Sequence, residues 1–298
     1  MQGGYIGPGQ ADGDKGKCAS HKVLLRREHI VSATPRPSFM TLLEFAHSLA
    51  DTSGDAILPY FRKPITVANK APRGAFDPVT AADQSAERAI ARALVKRWPD
   101  HGLIGEEFGN MRESARLQWA VDPIDGTRAF IMGSPLWGTL IGLLDDQSPV
   151  LGVMNQPFIG ERFWSSAKKA HVRTGNGRAR RIKTRHCPRL ADAIVSTTHP
   201  DLFATGKELD AFARLKSKAR MTRYGGDCYA YCLLAAGFID VVLEAGLKPF
   251  DVIALIPIIE RAGGRITTWD GKPATAGGRI VAVGDPRLHE KMLRFLNR

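Results

Sequence analysis

Cysteine is scarce in this chain of 298 residues: Cys18, Cys187, Cys228 and Cys232 contain no CxxC pair. A disulfide-stapled small scaffold is excluded, and the chain is long enough to bury a core without staples. Cys228 and Cys232 have the i, i+4 spacing of one helix face, and all four thiols read as reduced, in a cytoplasmic setting. No uninterrupted apolar run approaches the length of a bilayer span, so no membrane partner is expected. An apolar h-region with a small-residue cleavage site is missing too, which argues against a secretory signal. Internal repeats and low-complexity segments are absent from the core. The Gly-rich opening GGYIGPG follows no strand and is not a nucleotide fingerprint.

Acidic charge is in short supply, leaving a formal net charge of +12. Much of that excess sits in residues 168–189, KKAHVRTGNGRARRIKTRHCPR, which carry nine Lys/Arg and no Asp or Glu. Nucleic-acid binding is one reading of such a stretch, but no aromatic side chain interleaves the charges to stack on bases. The favoured reading is a solvated hairpin turning at Asn176-Gly177 through a type I′ turn. A basic nucleic-acid-binding protein without activity is the alternative from another class, and its mark would be tight, salt-dependent binding without catalysis.

Residues 1–38 show no sustained period and read as a disordered tail. Helical spacing begins at Thr41 and runs through Leu42, Phe45 and Leu49 to Phe61, with Gly54 as an interruption. A helix is expected over 81–98, capped by Thr80 and stopped at Pro99. Strands are expected near 119–121, 139–144, 150–155, 162–165, 193–197, 220–224, 240–244, 264–268 and 279–283. Helices are expected near 227–236, 252–262 and 286–296. The order implies an α+β fold with two halves, 39–186 holding the acidic site and 187–298 following the basic stretch.

The chemistry concentrates in WAVDPIDGTRAF, residues 119–130. A buried strand is expected to end at Asp122-Pro123, and Gly126 permits a tight turn, so Asp122 and Asp125 emerge together. Two carboxylates about 4 Å apart repel by roughly 4 kcal/mol at an effective dielectric near 20, so a cation belongs between them. Oxygen donors with no nearby His or Cys favour Mg²⁺ over zinc. Three further segments carry acids at element ends: GLIGEEFG with Glu106-Glu107, DPVTAAD with Thr80 and Asp83, and LKPFD with Asp251. Taken singly, capping accounts for Asp83 and Asp251, and a solvated loop for the glutamates.

Together, GEE, DPIDGT, and FD before an apolar helix and AGG resemble the inositol monophosphatase family over residues 40–298. The resemblance implies an αβαβα layered sandwich and Mg²⁺-dependent hydrolysis of a small-molecule phosphate monoester by an activated water. It implies metal ligands at Glu106, Asp122, Asp125, Asp251 and the Ile124 carbonyl, with Glu106 also serving catalysis and Glu107 a neighbour. Gly126 and Thr127 would hold phosphate through backbone N–H groups, and Thr127 and Asp83 would form a hydrogen-bonded pair on the attacking water. Lys70 matches a family lysine near the site, or is an ordinary loop cation. A homodimer is expected by the same analogy.

Arg128 and the segment 223–251, RYGGDCYAYCLLAAGFIDVVLEAGLKPFD, resemble the histidinol-phosphate phosphatase branch. Asp227 and Glu244 would then meet the cationic amino group of L-histidinol phosphate, although Asp227 also reads as a helix cap. Inositol-1-monophosphatase and adenosine bisphosphate 3′-phosphatase activities are the alternatives within the family.

Overall fold

Ser38 opens the first helix, its hydroxyl accepting from Thr41 N at 3.1 Å. The computed structural model describes residues 37–70 and 78–297; residues 1–36 of the expected tail lie outside the described residues. Among the described residues the helices are α1 (Phe39–Ile57), α2 (Ala81–Arg97), α3 (Thr127–Ile131), α4 (Lys207–Lys218), α5 (Asp227–Ala235), α6 (Pro249–Val252), α7 (Leu255–Ala262) and α8 (Pro286–Leu296). The strands are β1 (Val67–Asn69), β2 (Pro78–Thr80), β3 (Gly102–Gly105), β4 (Asn110–Met111), β5 (Leu117–Asp125), β6 (Gly138–Asp145), β7 (Ser148–Gln156), β8 (Glu161–Ser165), β9 (Ala170–Thr174), β10 (Arg180–Ile182), β11 (Ile194–Thr197), β12 (Met221–Tyr224), β13 (Val241–Leu247), β14 (Arg265–Thr268) and β15 (Gly278–Val283).

Two large sheets and three helical layers alternate. An eight-stranded sheet has the order β10-β9-β8-β7-β6-β5-β3-β4, and a five-stranded sheet the order β12-β11-β13-β15-β14. Helices α1 and α2 cover one face of the larger sheet, burying Leu49, Ile90 and Leu94 against Trp119, Ile141 and Val153. Helices α5 and α7 fill the space between the sheets: Leu234, Leu255 and Ile258 share one core with Leu140, Met154 and Val172 of the first and Val242 and Ala282 of the second. Helices α4 and α8 close the far face through Phe212, Leu215, Leu288 and Met292. This is the αβαβα sandwich the family resemblance implied. No described helix is long and apolar enough to cross a membrane.

The expected helix over 252–262 is broken at Ile253–Ala254 into α6 and α7. Pro257 has no N–H to give the Ile253 carbonyl, and the broken backbone lies flat on the larger sheet. Gly142 of β6 and Gly152 of β7 face each other there in register. A Cβ on Gly142 would stand 2.8 Å from Ala254 N, and one on Gly152 would overlap the Ala254 carbonyl. The glycine pair thus lets α6 settle against β5 and β6, which fixes where Asp251 points.

Other expectations need correcting. Helix α1 runs through Gly54, whose missing side chain admits Pro157 at 3.1 Å from a Cβ position. Helix α4 was not expected, since its buried stripe is only Ala211, Phe212 and Leu215. The basic stretch does form a hairpin, β9 pairing β10 from Ala170↔Ile182 to Val172↔Arg180. Its turn is not type I′ at Asn176-Gly177: the positive φ of +53° belongs to Gly175. Because β10 ends the sheet, its arginines blunt an exposed edge.

Gly152→Ala is expected to cost on the order of 3 kcal/mol in urea unfolding, because the Ala254 backbone must move to admit one methyl group. Unchanged stability would mean that the α6–α7 junction is not held by this contact.

Candidate active site

Strand β5 does not end at Asp122-Pro123 as expected; its ladder with β6 resumes at Asp125↔Gly138. Between Asp122↔Leu140 and that pair, two β5 residues oppose Thr139 alone, which is a β-bulge. Pro123, with no N–H to pair, sits in the bulge, and its carbonyl accepts from Thr139 Oγ1 at 2.8 Å. Residues three apart on a regular strand face opposite sides, so the extra residue is what turns Asp122 and Asp125 the same way. Ile124 N donates to Asp122 Oδ1 at 3.0 Å, and Thr127 Oγ1 donates to the Ile124 carbonyl at 3.1 Å. Gly126 follows at φ +92°, a left-handed turn that starts α3.

Asp251 arrives on α6, where its Oδ2 accepts from Lys248 N at 2.6 Å. Asp122, Asp125 and Asp251 each bring a carboxylate oxygen into a group whose members lie within 4.8 Å of one another. Burial pushes Asp122 well above the usual carboxylate range, and the charges of Glu106, Asp125 and Asp251 push it further. Asp125 rises for the same first reason, then through Asp227 and Asp251, against a hydrogen bond from Cys228 N at 2.7 Å. Asp251 reaches about 7, chiefly by burial. A buried group of this kind favours any cation that neutralises it, and its donors are all oxygen, which suits a hard divalent metal.

Glu106 lies outside that tight trio but lines the same cavity of about 470 Å³. Lys70 Nζ holds it at 2.8 Å and Glu107 at 2.9 Å. Burial pulls the Lys70 ammonium down, yet the two carboxylates outweigh it and hold it above its ordinary value. Glu107 is pushed by burial to about 7 despite that lysine. Ile124, Gly126, Thr127 and Arg128 also line the cavity, and so do Asp227 and Glu244.

Two expected arrangements differ. The Thr127–Asp83 pair is not made: Asp83, at the third position of α2, reaches back to accept from Thr80 N at 2.8 Å and Thr80 Oγ1 at 2.5 Å. Its other oxygen, Oδ1, is buried without a hydrogen-bond partner. Burial raises Asp83 to about 6 against the Thr80 bonds, with the Glu106 charge adding to it. Asp227 is not the cap of α5 either; Gly226 takes that position at φ +114°. Its side chain faces the cavity instead, raised to about 6 by burial and lowered in part by Thr198 and the Arg128 charge.

The described part of the chain, with these acids converged in one pocket, can be set beside known proteins. The inositol monophosphatase family matches residues 40–298. The chain belongs to that family. Among its relatives, the chloroplastic bifunctional phosphatase IMPL2 of Arabidopsis thaliana is 43% identical, over 84% of this chain and 73% of its own. A histidinol-phosphatase of Mycobacterium tuberculosis is 34% identical, over 74% of this chain and 85% of its own. An inositol monophosphatase from Zymomonas mobilis shares the fold with a TM-score of 0.77 at 40% identity, covering 88% of this chain and all of that one. The chain is accordingly a phosphatase for small phosphate monoesters.

One buried acid behind the site had no sequence expectation. Glu87, fully buried on α2, accepts from Glu107 N at 2.8 Å and Phe108 N at 3.0 Å, so its carboxylate shapes the turn that presents Glu106. The available signal was its position one turn after Asp83 on the same helix face. Thr197 and Thr198 were also unmarked. Thr198 N and Oγ1 donate to Glu244 Oε1 at 2.7 and 3.0 Å, and Thr197 Oγ1 approaches Oε2 at 3.4 Å.

Burial lifts Glu244 to about 8 against those bonds. A carboxyl whose folded pKa exceeds its unfolded value stabilises the fold while protonated, and that contribution fades as pH rises from about 4.5 through about 8. Glu244→Gln keeps an acceptor for Thr198 and never ionises. Relative to the parent chain, this variant should gain on the order of 2 kcal/mol in unfolding free energy between pH 5 and pH 8. Parallel stability curves across that range would contradict the raised ionisation.

Proposed function

We propose that the chain hydrolyses L-histidinol phosphate to L-histidinol and phosphate, the penultimate step of histidine biosynthesis, with Mg²⁺ as cofactor. The observation that carries this reading is the presence in the cavity of two acids beyond the trio that suits a cation. Asp122, Asp125 and Asp251 form one group, and Asp227 and Glu244 add two further carboxyl groups to the same lining. A phosphomonoester whose alcohol bears an ammonium group uses both sets: the phosphate with its counter-cation at the trio, the amine at Asp227 or Glu244. An uncharged polyol offers these two acids no opposite charge, whereas an ammonium group does. The similarity to a histidinol-phosphatase supports the same choice.

Glu106, Asp122, Asp125, Asp251 and the Ile124 carbonyl would hold Mg²⁺. When bound, the ion neutralises phosphate oxygens and lowers the pKa of a nearby water. The backbone N–H groups of Gly126 and Thr127 orient the phosphate. Asp83, which is not among the residues lining the cavity, would take the proton of the attacking water through Oδ1, its buried oxygen without a partner. The Thr127 hydroxyl, donating to the Ile124 carbonyl, keeps an oxygen lone pair to orient that water. Lys70 steadies Glu106, and Thr198 and Arg128 oppose the effect of burial on Asp227, which would meet the substrate amine.

Phosphate release from histidinol phosphate, inositol 1-phosphate and adenosine 3′,5′-bisphosphate, measured with Mg²⁺ and with EDTA, tests the proposal. Fastest turnover of histidinol phosphate, abolished by EDTA, is expected; a preference for either other ester rejects the substrate. Asp122→Asn should lose turnover yet melt at a higher temperature than the parent in metal-free buffer, since it relieves repulsion among buried carboxylates. Full activity in that variant rejects the ligand role.

A further inference from the structure

Tyr231 sits on α5 four residues after Asp227, so both face the cavity together with Cys228. Its side chain is 2% exposed, and its hydroxyl has no hydrogen-bond partner. Buried hydroxyls almost always have one, because an unmatched donor forfeits its hydration. Burial raises this phenol further above its ordinary value, and the next contributions come from the charges of Glu244, Asp125 and Asp251. The hydroxyl is an unmatched donor on the wall of a cavity that Asp125, Asp251 and Glu244 also line.

A phosphomonoester bound as proposed above has its phosphate beside Asp125 and Asp251 and its alcohol towards Glu244. The atom at the junction is the oxygen that links phosphorus to carbon. We propose that Tyr231 donates a hydrogen bond to that bridging oxygen and steadies it as the leaving group departs. The inference rests on the phosphomonoesterase reading and deepens it. In the step, the oxygen of water forms a new bond to phosphorus and the old P–O bond breaks. The alcohol oxygen leaves with the electron pair and takes a proton from solvent, while Tyr231 keeps its own proton. A donor at this atom matters most when the leaving alkoxide is strongly basic.

Tyr231→Phe removes one oxygen and retains the ring. The full-length variant and parent are compared on histidinol phosphate, an alkyl ester, and on p-nitrophenyl phosphate, whose leaving group is stable without a donor. The expected result is a fall in kcat/KM of about tenfold on the alkyl ester, carried by kcat, and less than about twofold on the nitrophenyl ester. The melting temperature should stay equal or rise, since an unmatched buried hydroxyl is lost. Equal losses on both esters, no loss on either, or a lower melting temperature would overturn the role. Failure of the parent chain to hydrolyse any phosphomonoester would instead overturn the phosphomonoesterase reading and take this inference with it, whereas an active parent with an unaffected variant would reject Tyr231 alone.

Discussion

Repulsion among like charges is the force the fold must hold in check. Asp122, Asp125 and Asp251 come from two distant segments and converge where burial already disfavours ionisation. Nothing in the local chemistry of three carboxylates draws them together. Packing does: the α6–α7 junction lies on Gly142 and Gly152 because no side chain stands between backbone and sheet. The apolar face of α7, with Leu255, Ile258 and Ile259 buried, holds that junction down. Hydrophobic burial of this size is worth several kcal/mol, enough to offset the electrostatic cost of bringing Asp251 in.

Strand β5 meets the same difficulty by geometry. A regular strand would send Asp122 and Asp125 to opposite faces, and the bulge at Pro123-Ile124 cancels that alternation. The defect in the ladder is therefore what makes the pocket acidic on one side. Its cost is softened by Thr139, whose hydroxyl donates to the Pro123 carbonyl and accepts the company of Ser53 at 2.8 Å. A core hydroxyl pair buried between α1 and β6 is thus tied to the shape of a site on the other side of the strand.

Much of this was legible in the sequence. The segments GEEFG, DPIDGT and LKPFD carry acids at the ends of apolar runs, and the structure brings those ends to one cavity. The periods of α2 and α8 were clear because each buries a stripe, and α5 was legible as a short apolar run that is buried nearly all round. What stayed hidden depends on partners far away in sequence. Glu87 looks like an ordinary helix surface acid until the 105–108 turn is folded over it. Gly142 and Gly152 look like weak points in strands, and only the opposing Ala254 backbone explains them. Asp83 was paired with Thr127 by family pattern, yet Thr80, three residues away, is the nearer donor. Short-range hydrogen bonds of that kind compete with long-range ones and win whenever the geometry allows.

The helical layer shared by the two sheets has a consequence for synthesis. All eight strands of the larger sheet lie before residue 183, whereas α5 and α7, which cover one of its faces, lie at 227–262. A chain leaving the ribosome at about 5–20 residues per second exposes Leu140, Met154, Phe163 and Val172 to water for several seconds before their cover arrives. During that interval the arginine-rich edge strand keeps one nascent chain from pairing with the next.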